Sequence, residues 1–245
     1  MNVILGVRFI NGNYEEAYKR LLNKKFMVVP SGPGLSGVDK NPIYYNAIKS
    51  ADFAIPDSGF MIILTRFFLG LSINKLSGPK FLRSFLKEDI LKIPNKLFLV
   101  DPNEKESNIN RQYLRDRGIP ITNDYQYVSP LYTKNNILDK NLISKLNNLA
   151  YKPDFIIINL AGGIQEPLGL YLRNNLSYKV SIICTGAAIA FETGQQARLP
   201  VWVDRFYLGW LARILQNPNL YFIRFLKAFR LIYVFYLCKT NKLDI

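Results

Sequence analysis

Three short turns carry the polar residues whose types and placement suit chemistry. The first is Ala54-Ile55-Pro56-Asp57-Ser58-Gly59-Phe60. The apolar run Ala51 to Ile55 reads as a strand, Pro56 ends it, and Asp57 stands at its carboxyl end before a long apolar helix, Phe60 to Leu71. A carboxylate at that end of a strand in an α/β sheet faces the crevice where ligands bind. The plainer alternative is that Asp57 only caps the helix that follows it. The second turn is Ala161-Gly162-Gly163-Ile164-Gln165-Glu166, after the apolar run Phe155 to Leu160. The third is Thr185-Gly186-Ala187-Ala188, after Val180 to Cys184.

Composition narrows what these turns can do. The chain has no histidine, which removes Ser-His-Asp and Cys-His nucleophiles and the usual zinc sets. Acid–base work then falls to Asp, Glu, Lys or Tyr. The two cysteines, Cys184 and Cys238, sit in separate apolar runs and suggest no disulfide framework, so a reducing compartment is expected. Lys plus Arg number 32 against 18 acids, a formal charge of +14, which favours an anionic partner. At 245 residues and 49% hydrophobic content, a sizeable core is expected. The N-terminus has no basic region followed by a long apolar core, so no signal peptide is expected. No run of about 18 uncharged apolar residues predicts a spanning helix.

The elements that must position the turns alternate. Strands are expected at Asn2 to Phe9, Lys25 to Val29, Ala51 to Ile55, Leu97 to Val100, Ile119 to Ile121, Tyr125 to Val128, Phe155 to Leu160 and Val180 to Cys184. Helices are expected at Asn13 to Lys24, Asn41 to Lys49, Phe60 to Leu71, Lys80 to Leu91, Lys105 to Arg117, Lys140 to Ala150 and Leu168 to Asn175. Pro30 to Gly34 reads as a loop whose backbone amides could approach a phosphate, or as a plain connection. This alternation predicts an α/β fold: a Rossmann-like parallel sheet with helices on both faces. All three turns follow strands and would gather on one edge of the sheet, shaping one cleft.

The tail differs in character. Residues 1–198 read as the α/β core and 199–245 as a basic amphipathic C-terminal helical appendage. Arg224, Lys227 and Arg230 recur every third residue among Phe222, Phe225, Leu226 and Phe229, and Leu231 to Leu237 carries no charge. Basic, aromatic and apolar residues on one helix suit an anionic membrane surface; the alternative is a helix packed on the core with its charges in water. Nucleic acid would also account for the charge, but the uncharged aromatic end fits lipid better.

Taken together, the motifs resemble the WecG/TagA/CpsF glycosyltransferases (glycosyltransferase family 26) over roughly residues 25 to 230. The resemblance rests on Pro56-Asp57-Ser58-Gly59, Gly162 to Glu166, Thr185-Gly186-Ala187-Ala188 with Gly194, and Arg198-Leu199-Pro200 with Gly209 to Arg213 and Pro218. It implies a metal-independent inverting transfer, without a cofactor, from a nucleotide-sugar, expected to be a UDP-sugar, to a polyprenyl-diphosphate-linked saccharide in bacterial surface-glycan synthesis. The chain would then sit peripherally on the cytoplasmic face of the inner membrane. Asp57 matches the family's proposed base, with Ser58 as an extra residue before Gly59. Gln165 matches a sugar or pyrophosphate contact in the Gly162–Gly163 turn. Ser31, beside Gly32, is the one polar residue where the family has a threonine-x-asparagine loop. Lys75 stands for an arginine, Tyr127 or Tyr132 for a nucleobase-stacking ring, and Glu192 lies two places beyond Ala190, where an aspartate is usual. Arg213, Arg224, Lys227 and Arg230 resemble the family's basic membrane-touching appendage.

In such a transfer Asp57 takes the acceptor proton. Backbone amides near Gly163 and in the Thr185-Gly186 turn, with tail cations, would stabilise the leaving diphosphate. Two other classes remain in view: a catalytically silent membrane-surface subunit of a glycan assembly complex, and a nucleotide-dependent enzyme of another type. Against the second, no G-x-G-x-x-G joins a strand to a helix. Whether the chain forms a homo-oligomer is left open.

Overall fold

The structure, a computed structural model, describes residues 1–133, 137–195 and 226–239. Strands β1 (Asn2–Ile4), β2 (Val7–Phe9), β3 (Phe26–Val28), β4 (Phe53–Ala54), β5 (Leu97–Asp101), β6 (Gln126–Val128), β7 (Phe155–Ile158) and β8 (Ser181–Cys184) form one sheet. Their spatial order is β1-β2-β4-β3-β8-β7-β5-β6, and every pairing except β1 with β2 is parallel. All residues of β3, β5, β7 and β8 are buried, as expected of parallel strands covered on both faces.

The helices are α1 (Tyr14–Leu22), α2 (Gly32–Leu35), α3 (Pro42–Ser50), α4 (Gly59–Leu69), α5 (Gly78–Phe85), α6 (Glu104–Arg115), α7 (Lys140–Asn148), α8 (Gln165–Asn175), α9 (Ala188–Glu192) and α10 (Arg230–Lys239). Strand register sorts several of them onto two faces. Phe26 pairs with Ile182 and Val28 with Cys184, so these four side chains share one face. Helix α8 lies there: a Cβ on Gly169 would stand 2.7 Å from the Phe26 ring and 3.0 Å from Cys184 Sγ. Phe155 and Ser181 are paired on the opposite face. Phe155 meets Phe85 of α5 with ring centroids 5.1 Å apart, and the Ser181 hydroxyl donates to the Leu21 carbonyl of α1. Helix α3 packs on α8, while α9 packs on α5.

This arrangement sets the position of the cleft. After β3 the chain goes to α3 on one face, and after β8 it goes to α9 on the other, yet β3 and β8 are neighbours. Connections leaving adjacent strands toward opposite faces open a crevice at their carboxyl ends.

Several sequence expectations need correction. Asn2 to Phe9 is a hairpin, because Leu5 and Gly6 both adopt positive φ (51° and 73°), as a two-residue primed turn requires. Ile119 to Ile121 is not a strand. Pro30 to Gly34 is not an open loop but the start of α2, whose N-cap is Ser31. Lys80 to Leu91 divides into α5 and a separate 3-10 turn, Asp89–Lys92. The division between residues 198 and 199 lies outside the described residues.

Gly169 lets α8 approach the sheet closely. Gly169→Ala would place a methyl against the Phe26 ring and the Cys184 sulfur. Overpacking of this kind costs about 1–3 kcal/mol, so the variant should melt at a lower temperature in a thermal scan.

Candidate active site

Asp57 does not cap the helix that follows it. That helix, α4, is capped by Ser58, whose hydroxyl accepts from Met61 N–H at 3.2 Å. The extra residue in this turn is therefore the cap of α4, and Gly32 makes room for it: a Cβ on Gly32 would lie 2.8 Å from Ser58 Oγ. Asp57 instead reaches the next helix, where Oδ1 accepts from Gly78 N–H, the first residue of α5, at 3.0 Å. Ser77, at the cap position of α5, makes no side-chain cap bond. A carboxylate from outside the helix thus satisfies an N-terminal donor and meets the positive end of the helix dipole, worth about 0.5–2 kcal/mol. Leu76 N–H donates to Pro56 O at 3.1 Å, which brings the half-exposed Lys75 beside the same turn.

The start of α5 stands over the crevice. A Cβ on Gly78 would lie 3.4 Å from Val29 Cγ1, just past β3, and 3.6 Å from the Thr185 carbonyl, just past β8. Asp57 is half-buried there, and among the described residues Gly78 N–H is the partner of its carboxylate. Among the described residues its second oxygen has no hydrogen-bond partner.

The two glycine turns are fastened to each other by Gln165 and Glu166, the first two residues of α8. Gly186 N–H donates to Gln165 Oε1 at 2.7 Å. Gln165 Nε2 donates to Glu166 Oε1 at 3.0 Å, and Gly163 N–H donates to Glu166 Oε2 at 2.7 Å. Both side chains are buried. The chain Gly186–Gln165–Glu166–Gly163 therefore locks the ends of β8 and β7, and the N–H groups of Gly163 and Gly186 are engaged by protein. Gln165 acts here as a brace. Gly162 is exposed at the outer side of its turn. Glu166, outside the residues singled out from sequence as binding or catalytic, is the unusual group: burial pushes its carboxyl up to about 7, against the pull of the Gly163 N–H.

A second buried network at the same edge was also missed. Asp101, ending β5, accepts from Asn110 Nδ2 and Asn159 Nδ2, each at 2.8 Å, and from Gln126 Nε2 at 3.3 Å. Burial raises the Asp101 carboxyl, and these amide donors oppose the rise. The available signal was a polar residue closing an otherwise apolar strand, Asp101 after Val100 and Asn159 after Ile158. Asn159 Oδ1 and Thr185 Oγ1, past the ends of β7 and β8, are buried without a protein partner among the described residues.

The other expected residues divide. Tyr127 and Tyr132 come together: their hydroxyls donate to Asp139 Oδ2 at 2.9 and 2.5 Å, and Asp139 caps α7. Burial and the Asp139 carboxylate push the Tyr127 phenol up to about 12. Ser31 uses its hydroxyl to accept from Gly34 N–H at 3.2 Å. Glu192 lies away from the mouth, accepting Arg83 Nη2 at 2.7 Å and Tyr113 OH at 3.3 Å. Arg83 is about 8 Å along α5 from Gly78.

In the tail, Arg213 and Arg224 lie outside the described residues. Lys227 is exposed. Arg230 is held: Nη1 donates to Ser36 O and to Asp39 Oδ1, each at 2.6 Å, and Nη2 to Asp39 Oδ2. The Arg230 hydrogen bonds hold the Asp39 carboxyl below its usual range. Helix α10 is docked on α4, with Leu231, Val234 and Phe235 fully buried. No helix among the described residues is long and apolar enough to cross a membrane. A surface hollow lined by Asn95, Thr122, Tyr125 and Tyr151 opens at the opposite, N-terminal edge of the sheet, away from Asp57.

The fold is an α/β sheet, mostly parallel, whose crevice lies at the carboxyl ends of the strands. The family model for the glycosyl transferase WecG/TagA/CpsF family matches residues 2–244, and the chain belongs to that family. It is a glycosyltransferase, and its family places it in surface-glycan synthesis. No curated protein matches the chain.

Glu166 gives the site a pH signature. Its folded value, about 7, stands above the ordinary 4.5. The protonated form is therefore the one that folding favours. Stability from this group is complete below about pH 4.5 and is lost as pH rises through 7, by up to about 3 kcal/mol. Glu166→Gln, permanently neutral, should forfeit one hydrogen bond but flatten the slope of denaturant stability between about pH 5 and 8.

Proposed function

We propose that the chain transfers a sugar, with inversion and without metal, from a UDP-sugar to a hydroxyl of a polyprenyl-diphosphate-linked saccharide. The observation that supports this is the Asp57 carboxylate. It lies half-buried at the crevice between β3 and β8, with one oxygen held by Gly78 N–H and the other without a hydrogen-bond partner among the described residues.

The acceptor hydroxyl gives its proton to the open Asp57 oxygen as its own oxygen attacks the anomeric carbon. The bond from that carbon to the diphosphate oxygen breaks on the opposite face, and the configuration inverts. Because Gly163 and Gly186 N–H groups are already engaged, charge on the departing diphosphate falls to Lys75 and to tail cations such as Lys227. The Thr185 hydroxyl and the Asn159 amide oxygen are buried at this edge without a protein partner among the described residues. The Tyr127–Tyr132 pair, fixed by Asp139, offers a ring to the nucleobase. A brace of Gln165 and Glu166 keeps the two turns from collapsing into the space the donor needs.

The test is transfer from a panel of UDP- and GDP-sugars to a polyprenyl-diphosphate-linked saccharide. Asp57→Asn keeps an oxygen for Gly78 N–H but cannot take a proton. It should lower turnover roughly a thousand-fold with the melting temperature near that of the wild type. Retained turnover would remove Asp57 from the role of base. Treatment with EDTA should leave the wild-type rate unchanged.

A further inference from the structure

Helix α4, which begins directly after the Asp57 turn, has an outward face that the reaction does not use. Its inner residues Met61, Ile62, Leu64 and Thr65 are buried, whereas Ile63 and Phe67 are 52% and 79% exposed. Helix α10 lies beside it and runs the same way: Phe60 meets Phe229 near one end, and Phe68 meets Phe235 nearer the other, with centroids 5.5 and 5.9 Å apart. While α10 buries Leu231, Val234 and Phe235, it leaves Ile232 and Tyr233 exposed, with Phe229 exposed just before it. Of the fifteen large apolar side chains exposed among the described residues, seven lie on residues 59–69 and 226–239. Such concentration marks an interaction surface.

The charges on the two segments indicate what covers it. Neither segment contains an acidic residue, and Arg66, Lys227 and Lys239 are exposed on them. The whole chain carries +14. An apolar aromatic face rimmed by cations alone is complementary to an anionic bilayer: rings and aliphatic chains enter the acyl boundary and the cations meet phosphate. A second copy of this chain would bring the same cations against each other.

We infer that α4 is itself a membrane-inserting element, with Ile63 and Phe67 entering an anionic bilayer beside α10. This rests on the proposed lipid-linked acceptor and adds an element outside the basic tail. The consequence is geometric. Ser58 caps α4, and Asp57 precedes it by one residue, so the helix that lies in the interface also carries the base. Lying flat, α4 sets Asp57 at headgroup depth, where a lipid diphosphate presents its first sugar.

The experiment is flotation of the full chain with vesicles of phosphatidylcholine containing phosphatidylglycerol, and with phosphatidylcholine alone. The variants are Ile63→Ser with Phe67→Ser on α4, and Ile232→Ser with Tyr233→Ser on α10. All four side chains are exposed, so folding, checked by near-UV circular dichroism, should hold. Wild type should float with the anionic vesicles. The α4 pair should lower partitioning by roughly ten-fold or more and lower transfer to a long-chain lipid acceptor in parallel, while sparing a water-soluble acceptor analogue.

Wild-type flotation by the α4 pair, with loss only in the α10 pair, would overturn insertion of α4 and leave the lipid-linked acceptor standing. Failure of wild type to bind either vesicle would overturn both. A wild-type dimer that the α4 pair splits, with flotation unchanged, would assign the face to a second copy and also overturn the proposal. Flotation does not depend on turnover, so an active Asp57→Asn variant would remove the base and leave this result intact.

Discussion

The site depends on how the first N–H groups of α5 find partners. A helix leaves its first N–H groups without intrahelical partners, and a buried helix start needs other groups to satisfy them. Here Ser77 does not serve α5, and the acceptor comes from Asp57, at the far end of a different segment. One hydrogen bond therefore joins the exit of β4 to the start of α5, above the line where β3 and β8 diverge. It fixes one carboxylate oxygen, and among the described residues the other has no hydrogen-bond partner. A solvent-facing aspartate would have had no fixed direction, and a fully buried one could not have met a substrate.

Much of this was legible in the sequence, for physical reasons. Uninterrupted apolar runs such as Phe155 to Ile158 mark strands covered on both faces, and the polar turns that follow them must lie on one edge. What the sequence hid was the destination of each side chain. Asp57 and Ser58 are adjacent and both are good caps, so spacing alone could not show that Ser58 takes the near helix and Asp57 the distant one. Likewise Gln165 reads as a ligand contact from the family resemblance. It sits with Glu166 at the start of α8, where Gln165 takes the Gly186 N–H of the turn after β8 and Glu166 takes the Gly163 N–H of its own turn. Glu192 was drawn away by Arg83, a partner 109 residues distant that local pattern cannot reveal.

The same limit applies to the tail. Arg224, Lys227 and Arg230 form one stripe on an ideal helix, but Arg230 leaves it to pair bidentately with Asp39, close to α2 and the Ser58 contact. The pair ties the start of α10 to the rim of the crevice, while Leu231, Val234 and Phe235 seat the helix on α4. Docking by apolar burial and orientation by a half-exposed ion pair are different contributions. The burial supplies most of the free energy, and the exposed ion pair, screened by solvent, mainly fixes the register.

The absence of histidine gives the arrangement its internal logic. With acid–base work left to Asp, Glu, Lys or Tyr, differences in burial set the carboxylates of this edge apart. Asp57 stays half-exposed beside the N-terminus of α5. Glu166 is sealed under α8, where desolvation favours the proton even though backbone N–H groups face it. Glu166 is linked through Gln165 to Gly186 in the turn after β8, and Asp57 is bonded to Gly78 at the start of α5. A change in the Glu166 charge would alter the acceptor strength that holds Gly163 and Gln165.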